Sequence, residues 1–388
     1  MDKLEFKIYN TSNAIPSQWN ALPNNDLFLK TEFLKALECS CPKNITPYYI
    51  GVFKTKKLVG ISIVQRVQMY LDDAFRNNKD SFITRKVKQI VSKIVRGNAL
   101  VVGNLMHTGQ HGLFFLEEEL SYSSFLDVID DAIIDLKKEI KEQYKKKIRI
   151  IAFKDYFEDD AIHNNQDFFK KHNLYKVQVQ PNMIFHIHEQ WHTIEDYKKA
   201  FTKKYRQRFN SAKNKSKAIV KRELDLETIR LNETKLYTLY KNVSDNARVN
   251  SFILNEKHFS YLKEHLQDNL KLFGYFLNNE LIGFYTLILN NNMLETYFLG
   301  YDKVLQQKHK IYLNMLFDMA QFGIDNKYKT IVYARTAMEI KSSIGAKPKT
   351  MHIYMKHTNN FIANTVLKFI VKYLNPTREW VERHPFKE

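Results

Sequence analysis

Cysteine is nearly absent: the chain holds only Cys39 and Cys41, with Ser40 between them. Neighbours that close form at best a strained disulfide, so a disulfide framework is excluded and a reduced, cytoplasmic setting is expected. No run of about 18 apolar residues occurs, which argues against a transmembrane helix. The opening MDKLEFKIYN has no apolar core of a signal peptide. Acid is missing where base is densest. From Tyr197 to Arg222 there is no Asp or Glu, while 11 of the 26 positions are Lys or Arg.

What is present supports packing. Hydrophobic residues make up 44% of 388 residues, a length that favours two domains or one duplicated domain. Sixty Lys and Arg against 42 Asp and Glu give a net charge of +18. That excess points to an anionic partner, namely a nucleotide-containing cofactor, tRNA or a membrane surface, or else to a merely solvated lysine surface.

Along the chain, Tyr48–Phe53 and Leu58–Val64 read as a hairpin across the turn KTKK. An insertion at 69–98 ends in a basic amphipathic helix, with Ile83, Val87, Ile90, Val91 and Ile94 on one face. It suits either packing on the domain or a membrane surface. A strand at Ala99–Gly103 leaves through NLMHTGQHG. There His107 and His111 lie in a loop rather than on a helix, so no metal is expected, and Gly109 and Gly112 could let backbone amides approach phosphate. A helix follows at about 123–144, with Phe125, Val128, Ile129, Ala132, Ile133 and Leu136 as its stripe, then a strand at Ile148–Phe153. Phe201, Tyr205, Phe209, Ala212, Ser216 and Ile219 recur at helical spacing, which predicts one long basic helix over 197–222. The apolar helix Phe361–Tyr373 is expected to pack on the second domain, with peripheral membrane contact as the alternative.

A second hairpin, Lys271–Phe276 and Leu281–Leu287 across LNNE, repeats the first. Gly51 and Gly60 are spaced as are Gly274 and Gly283, and Gly103 and Gly300 end the strands that follow. From Leu294 to Pro348 the chain then reads strand, basic loop, helix, strand and a closing Lys341-Ser-Ser-Ile-Gly345. Two copies of one unit are expected, an N-terminal domain at 1–190 and a C-terminal domain at 191–388.

This order of hairpin, strand, helix and strand, met twice, resembles the tandem GNAT-like proteins: the FemAB/FemX-like aminoacyl transferases and their BioF2-like acetyltransferase relatives. The resemblance spans nearly the whole chain and is carried most specifically by Lys203-Lys204-Tyr205-Arg206 and by Lys341-x-x-x-Gly345. It implies an α/β (α+β) fold of two GNAT-like domains in tandem, each a mixed central sheet flanked by helices. It also implies transfer of an acetyl or other acyl group from acetyl-CoA or another acyl-CoA to an amine. The alternatives are an aminoacyl-tRNA-dependent transferase acting on a cell-wall precursor, and a non-catalytic tandem domain that binds an anionic ligand.

Acyl transfer to an amine needs a base, oxyanion stabilisation and help for the leaving group. The candidates are Glu295 as base, Lys341 as a positive charge and Tyr333 as a proton donor. Donor binding falls to Gln307, Lys308, Lys310, Tyr312, Asn314, Arg335, Thr336 and Gly345, and acceptor or tRNA binding to Lys204, Tyr205 and Arg206. The loop Gln306–Lys310 lacks the glycines with which such domains close backbone amides on a pyrophosphate. Side-chain cations would then hold the phosphates, or the Gly109 and Gly112 turn would serve instead.

Overall fold

In the computed structural model, which describes residues 3–69, 97–246, 250–374 and 380–387, both hairpins close on two-residue turns with positive φ. These are Thr55 and Lys56 in the first, Asn278 and Asn279 in the second. Such turns match the twist of the flanking strands, and Asn tolerates the left-handed region better than Thr or Lys. The basic amphipathic helix read at 83–96 lies outside the described residues.

The chain divides into two units. The first comprises residues 1–179, 248–255 and 350–377; the second comprises 180–247, 256–349 and 378–388.

In the first unit, β1 (Leu4–Tyr9), β2 (Ile45–Lys54), β3 (Lys57–Met69) and β4 (Gly97–Val102) are antiparallel neighbours. A short β5 (Leu113–Phe115) pairs with β3, and β6 (Ile148–Phe157) lies parallel to β4. Helix α1 (Thr31–Cys39) buries Phe33, Leu34 and Leu37. The crossover between β4 and β6 contains α2 (Tyr122–Tyr144), capped by Ser121, whose hydroxyl accepts from the Ser124 amide. Of its predicted stripe, Phe125, Ile129, Ala132, Ile133 and Leu136 are inaccessible to solvent and Val128 is half-buried.

In the second unit, β7 (Tyr175–His186) pairs antiparallel with β12 (Thr330–Val332), and β12 lies parallel to β11 (Met293–Tyr301). Beyond β11, strands β10 (Glu280–Asn290), β9 (Leu270–Leu277) and β8 (Val220–Glu223) are antiparallel neighbours in turn. The helices are α3 (Ile194–Ala200), α4 (Lys203–Lys215), α5 (Glu233–Ser244), α6 (His258–Leu266), α7 (Lys303–His309), α8 (Ile311–Asp325) and α9 (Met338–Ser342). The unit thus repeats the plan of the first, an antiparallel hairpin and third strand joined through a helix to a parallel neighbour.

Register makes the repeat physical. Gly51 pairs with Ile61 and Val52 with Gly60, as Gly274 pairs with Phe284 and Tyr275 with Gly283. Each second-strand glycine admits the crossover helix. A Cβ on Gly60 would lie 2.7 Å from the Phe125 ring, and one on Gly283 would lie 2.9 Å from Met315 Cε. Glycine recurs at these positions because a helix side chain occupies the space a methyl would need.

The long helix expected at 197–222 is three elements. Phe201 is extended and bridges to Phe386, the Thr202 amide donates to the Pro385 carbonyl, and α4 starts afresh at Lys203. After Lys215 the chain turns, and Val220–Glu223 becomes the exposed edge strand β8. The apolar spacing survives the break, since Phe201, Phe209 and Ala212 are buried and Tyr205 and Ile219 pack against the same core.

Beneath this helix, Asp318 of α8 is buried between Lys213, 2.5 Å from its Oδ1, and the Tyr275 hydroxyl, which donates to its Oδ2. Replacing Asp318 by Leu strips an acceptor from both partners. The expected loss is about 2 kcal/mol, reduced by the partial exposure of Lys213. Urea unfolding checks it, and an added Lys213→Met substitution should recover part of the loss.

The last helix, α10 (Phe361–Leu374), belongs to the first unit rather than to the second domain as expected. Asn364 anchors it there, donating to the Asn173 carbonyl and accepting from the His357 amide.

Candidate functional site

The parallel ladder of β11 and β12 is three pairs long and ends at Glu295 opposite Val332. Beyond it the two strands carry no mutual hydrogen bonds, as at the strand ends where open α/β sheets bind ligands. Glu295 is therefore a buried residue at the fork, 1% exposed.

After β12 the chain turns sharply. Ala334, Thr336 and Ala337 all have positive φ, at 59°, 68° and 47°. Each costs on the order of 1–3 kcal/mol unless its surroundings hold it, and a β-branched Thr is an outlier there. Ala337, not Thr336, is the N-cap of α9. The holding group is Lys341 on that helix, whose Nζ donates to the carbonyls of Ala334 at 3.2 Å and Arg335 at 2.7 Å. No carboxylate of the described residues pairs with it, and burial lowers its pKa to about 7. Burial also lowers the Arg335 guanidinium to about 10. A neutral Lys341 can keep both carbonyl bonds with its two N–H groups and still present a lone pair. Burial thus places the loss of its proton near neutrality.

Two predicted residues of this segment serve packing. The Tyr333 hydroxyl is buried and donates to the Leu316 carbonyl at 2.9 Å, and burial raises its pKa, so its proton is committed to the core. Gly345 has φ +104°, and a Cβ there would lie 2.4 Å from the Phe386 ring.

The basic helix α4 joins the same neighbourhood. Lys204 Nζ lies 5.7 Å above the Tyr205 ring. Arg208, lowered mainly by burial, also feels Tyr205, Arg383 and Glu339. Arg383 binds Glu339 through its guanidinium, and its amide donates to Ser342 Oγ at 3.0 Å. The Glu339–Ser342 turn of helix that carries Lys341 is thus bordered by Tyr205, Arg208 and Arg383. Arg206 is half-buried on α4. Arg208 stood in the acid-free run without being singled out, and Arg383 has no local signal at all.

Asp302 caps α7, its Oδ1 accepting from the amides of Val304 and Leu305, both at 2.9 Å. The next helix, α8, has Lys310 as its N-cap, at φ 52° and with no side-chain cap. Gln307, Lys308 and Lys310 are exposed around α7. The Asn314 Nδ2 donates to the carbonyls of Ala212, His309 and Lys310, while its buried Oδ1 has no partner among the described residues. Tyr312 is partly buried, and burial raises its hydroxyl pKa.

The glycine turn of the first unit is likewise engaged. The Gly109 amide donates to Asp155 Oδ2 at 3.3 Å, and the Gly112 amide donates to Gln110 Oε1 at 3.0 Å. Gly112 is glycine because a Cβ would lie 2.3 Å from the Gly103 Cα. His111 Nδ1 meets Asp26 Oδ2 at 2.7 Å, and His107 stacks on Phe28 with its pKa held well down by burial. The expected role of Gly109 and Gly112 as a phosphate loop is therefore corrected: their amides serve the protein itself.

No protein-family model and no curated protein matches the chain. Among solved structures, FemX superposes with a TM-score of 0.54 at 11% identity, covering 95% of this chain and 100% of that one. A tandem GNAT protein from the clavulanic acid biosynthesis pathway gives 0.49 at 7% identity, covering 92% and 98%. The L-PGS of Bacillus licheniformis gives 0.47 at 12%, covering 94% and 97%. The likeness to FemX shows the fold alone: this chain has the tandem GNAT-like α/β architecture.

Proposed function

We propose that the chain is an acyltransferase that forms an amide on an amine acceptor and takes its acyl group from aminoacyl-tRNA. The acceptor class is a small-molecule amine or a cell-wall precursor. The observation that carries the reading is the acid-free cationic helix α4, in a chain whose Gln306–Lys310 loop lacks the glycines of a backbone phosphate clamp and whose Gly109 and Gly112 amides bond Asp155 and Gln110. A donor with a long polyanionic handle does not need that clamp, because cations on side chains can hold it. Helix α4 supplies them, with exposed Lys203, Lys204 and Arg208 and no acid between Tyr197 and Arg222.

In this reading the acceptor amine attacks the ester carbonyl at the fork of β11 and β12. The C–N bond forms, the ammonium proton of the tetrahedral intermediate passes to neutral Lys341, the ester C–O bond breaks, and Lys341 returns that proton to the departing ribose oxygen. A second reading keeps acyl-CoA as donor. It is favoured by Lys308 and Lys310, exposed beside α7, which could hold phosphates as point charges.

Binding separates the two. Charged or uncharged tRNA should bind with an affinity that falls steeply with salt. The double reversal Lys204→Glu and Arg208→Glu should weaken it about tenfold or more and flatten the salt slope. Acetyl-CoA and CoA should leave the melting temperature unchanged. Stabilisation by acetyl-CoA without tRNA binding would reverse the assignment in favour of the second reading.

A further inference from the structure

Helix α10 presents an apolar face to solvent. Phe361 is 79% exposed, Ile362 70% and Phe369 59%. These share one side of the helix with exposed Thr365 and Lys368, at steps of three, four and seven. Leu367, on the opposite side, is 1% exposed and fixes the helix to the first unit together with Asn364. Scattered exposed apolar residues are ordinary, but three large ones on 14 residues are not.

The charge pattern selects the occupant. The helix FIANTVLKFIVKYL contains lysine and no acidic residue, on a chain of net charge +18. A second copy would bring another +18 to the same face, whereas an anionic surface is attracted to it. Length decides the mode. Fourteen residues span roughly 21 Å, short of a bilayer core, and among the described residues no helix is long and apolar enough to cross a membrane. Phe and Ile interleaved with Lys suit a helix lying in the interface plane, its rings among the acyl chains and its ammonium groups at the lipid phosphates.

We propose that α10 docks the protein on an anionic lipid surface through Phe361, Ile362 and Phe369. The proposal is independent of the acyl donor. Its test is flotation of the full chain with vesicles of phosphatidylcholine containing about one third phosphatidylglycerol, against phosphatidylcholine alone. The wild type should float with the anionic vesicles, less at high salt and less with phosphatidylcholine alone. The triple variant Phe361→Ser, Ile362→Ser, Phe369→Ser should lose at least about tenfold in partitioning with an unchanged urea midpoint, because Leu367 and Asn364 remain. Lys368→Glu should weaken only the binding to anionic vesicles. The proposal is overturned if the wild type stays in solution with both vesicle types, or if the triple variant floats equally well. It is also overturned if the wild type is a concentration-dependent dimer that the triple variant dissolves, since the face would then belong to a second copy.

Discussion

A Lys341→Met variant should lose at least about two orders of magnitude in the rate of acyl transfer while remaining folded. Methionine fills the volume of the side chain but can neither take a proton nor bond the Ala334 and Arg335 carbonyls. The pH dependence distinguishes a base from a strut. Burial brings Lys341 from 10.5 to about 7, so the wild-type rate should rise with pH through about 7 as the amine becomes neutral. Lys341→Arg, which keeps donors but stays charged, should remain folded and not recover the rate.

The same group predicts stability. Below pH 7 Lys341 is charged in both states, and the folded state bears the full cost of burying that charge, on the order of 5 kcal/mol. Between about 7 and 10.5 the unfolded chain binds more protons than the folded one, so this group makes stability rise with pH. Above 10.5 the cost is gone. The difference in unfolding free energy between wild type and Lys341→Met should therefore shift in favour of the wild type as pH is raised across this window. Urea unfolding at several pH values measures it, and a difference that stays flat would mean that the amine is solvated rather than buried.

Gly345→Ala should destabilise the second unit by about 3 kcal/mol or more. Two costs add there. Alanine must adopt φ +104°, and its methyl would lie 2.4 Å from Phe386 and 3.0 Å from Phe185. Phe386 cannot move freely, because it stacks on Phe201 at 5.3 Å and Phe201 bridges to it through the backbone. Adding Phe386→Leu should recover the steric part and leave the conformational part. A wild-type urea midpoint for Gly345→Ala would show that the ring gives way and that the glycine is not a packing residue.

Much of the fold was legible because it is written locally. The two hairpins announce themselves through β-rich runs around polar turns, and the stripes of α2 and α8 through helical spacing, since neighbours in sequence decide both. The repeat rested on glycine spacing, and the equivalent places of Gly60 and Gly283, each facing a crossover-helix side chain, give that spacing its cause. Asp302 was not singled out, although an acid two residues before Val304 is an N-cap signal that the helix Lys303–His309 bears out. The break at Phe201 and Thr202 was not legible, because the groups that impose it, Pro385 and Phe386, come from the far end of the chain.

The sequence alone determined the duplicated hairpin, strand, helix and strand, and it marked Lys341 and the acid-free stretch from Tyr197 to Arg222, because periodicity, turn chemistry and charge are properties of the chain itself. Tertiary structure decided what those residues can do. Burial brings the Lys341 amine close to neutrality, close packing turns Gly345 and Tyr333 into core residues, and folding brings Arg383 beside Glu339. Solvation and distance set a group's chemistry, and both are created only when remote segments meet.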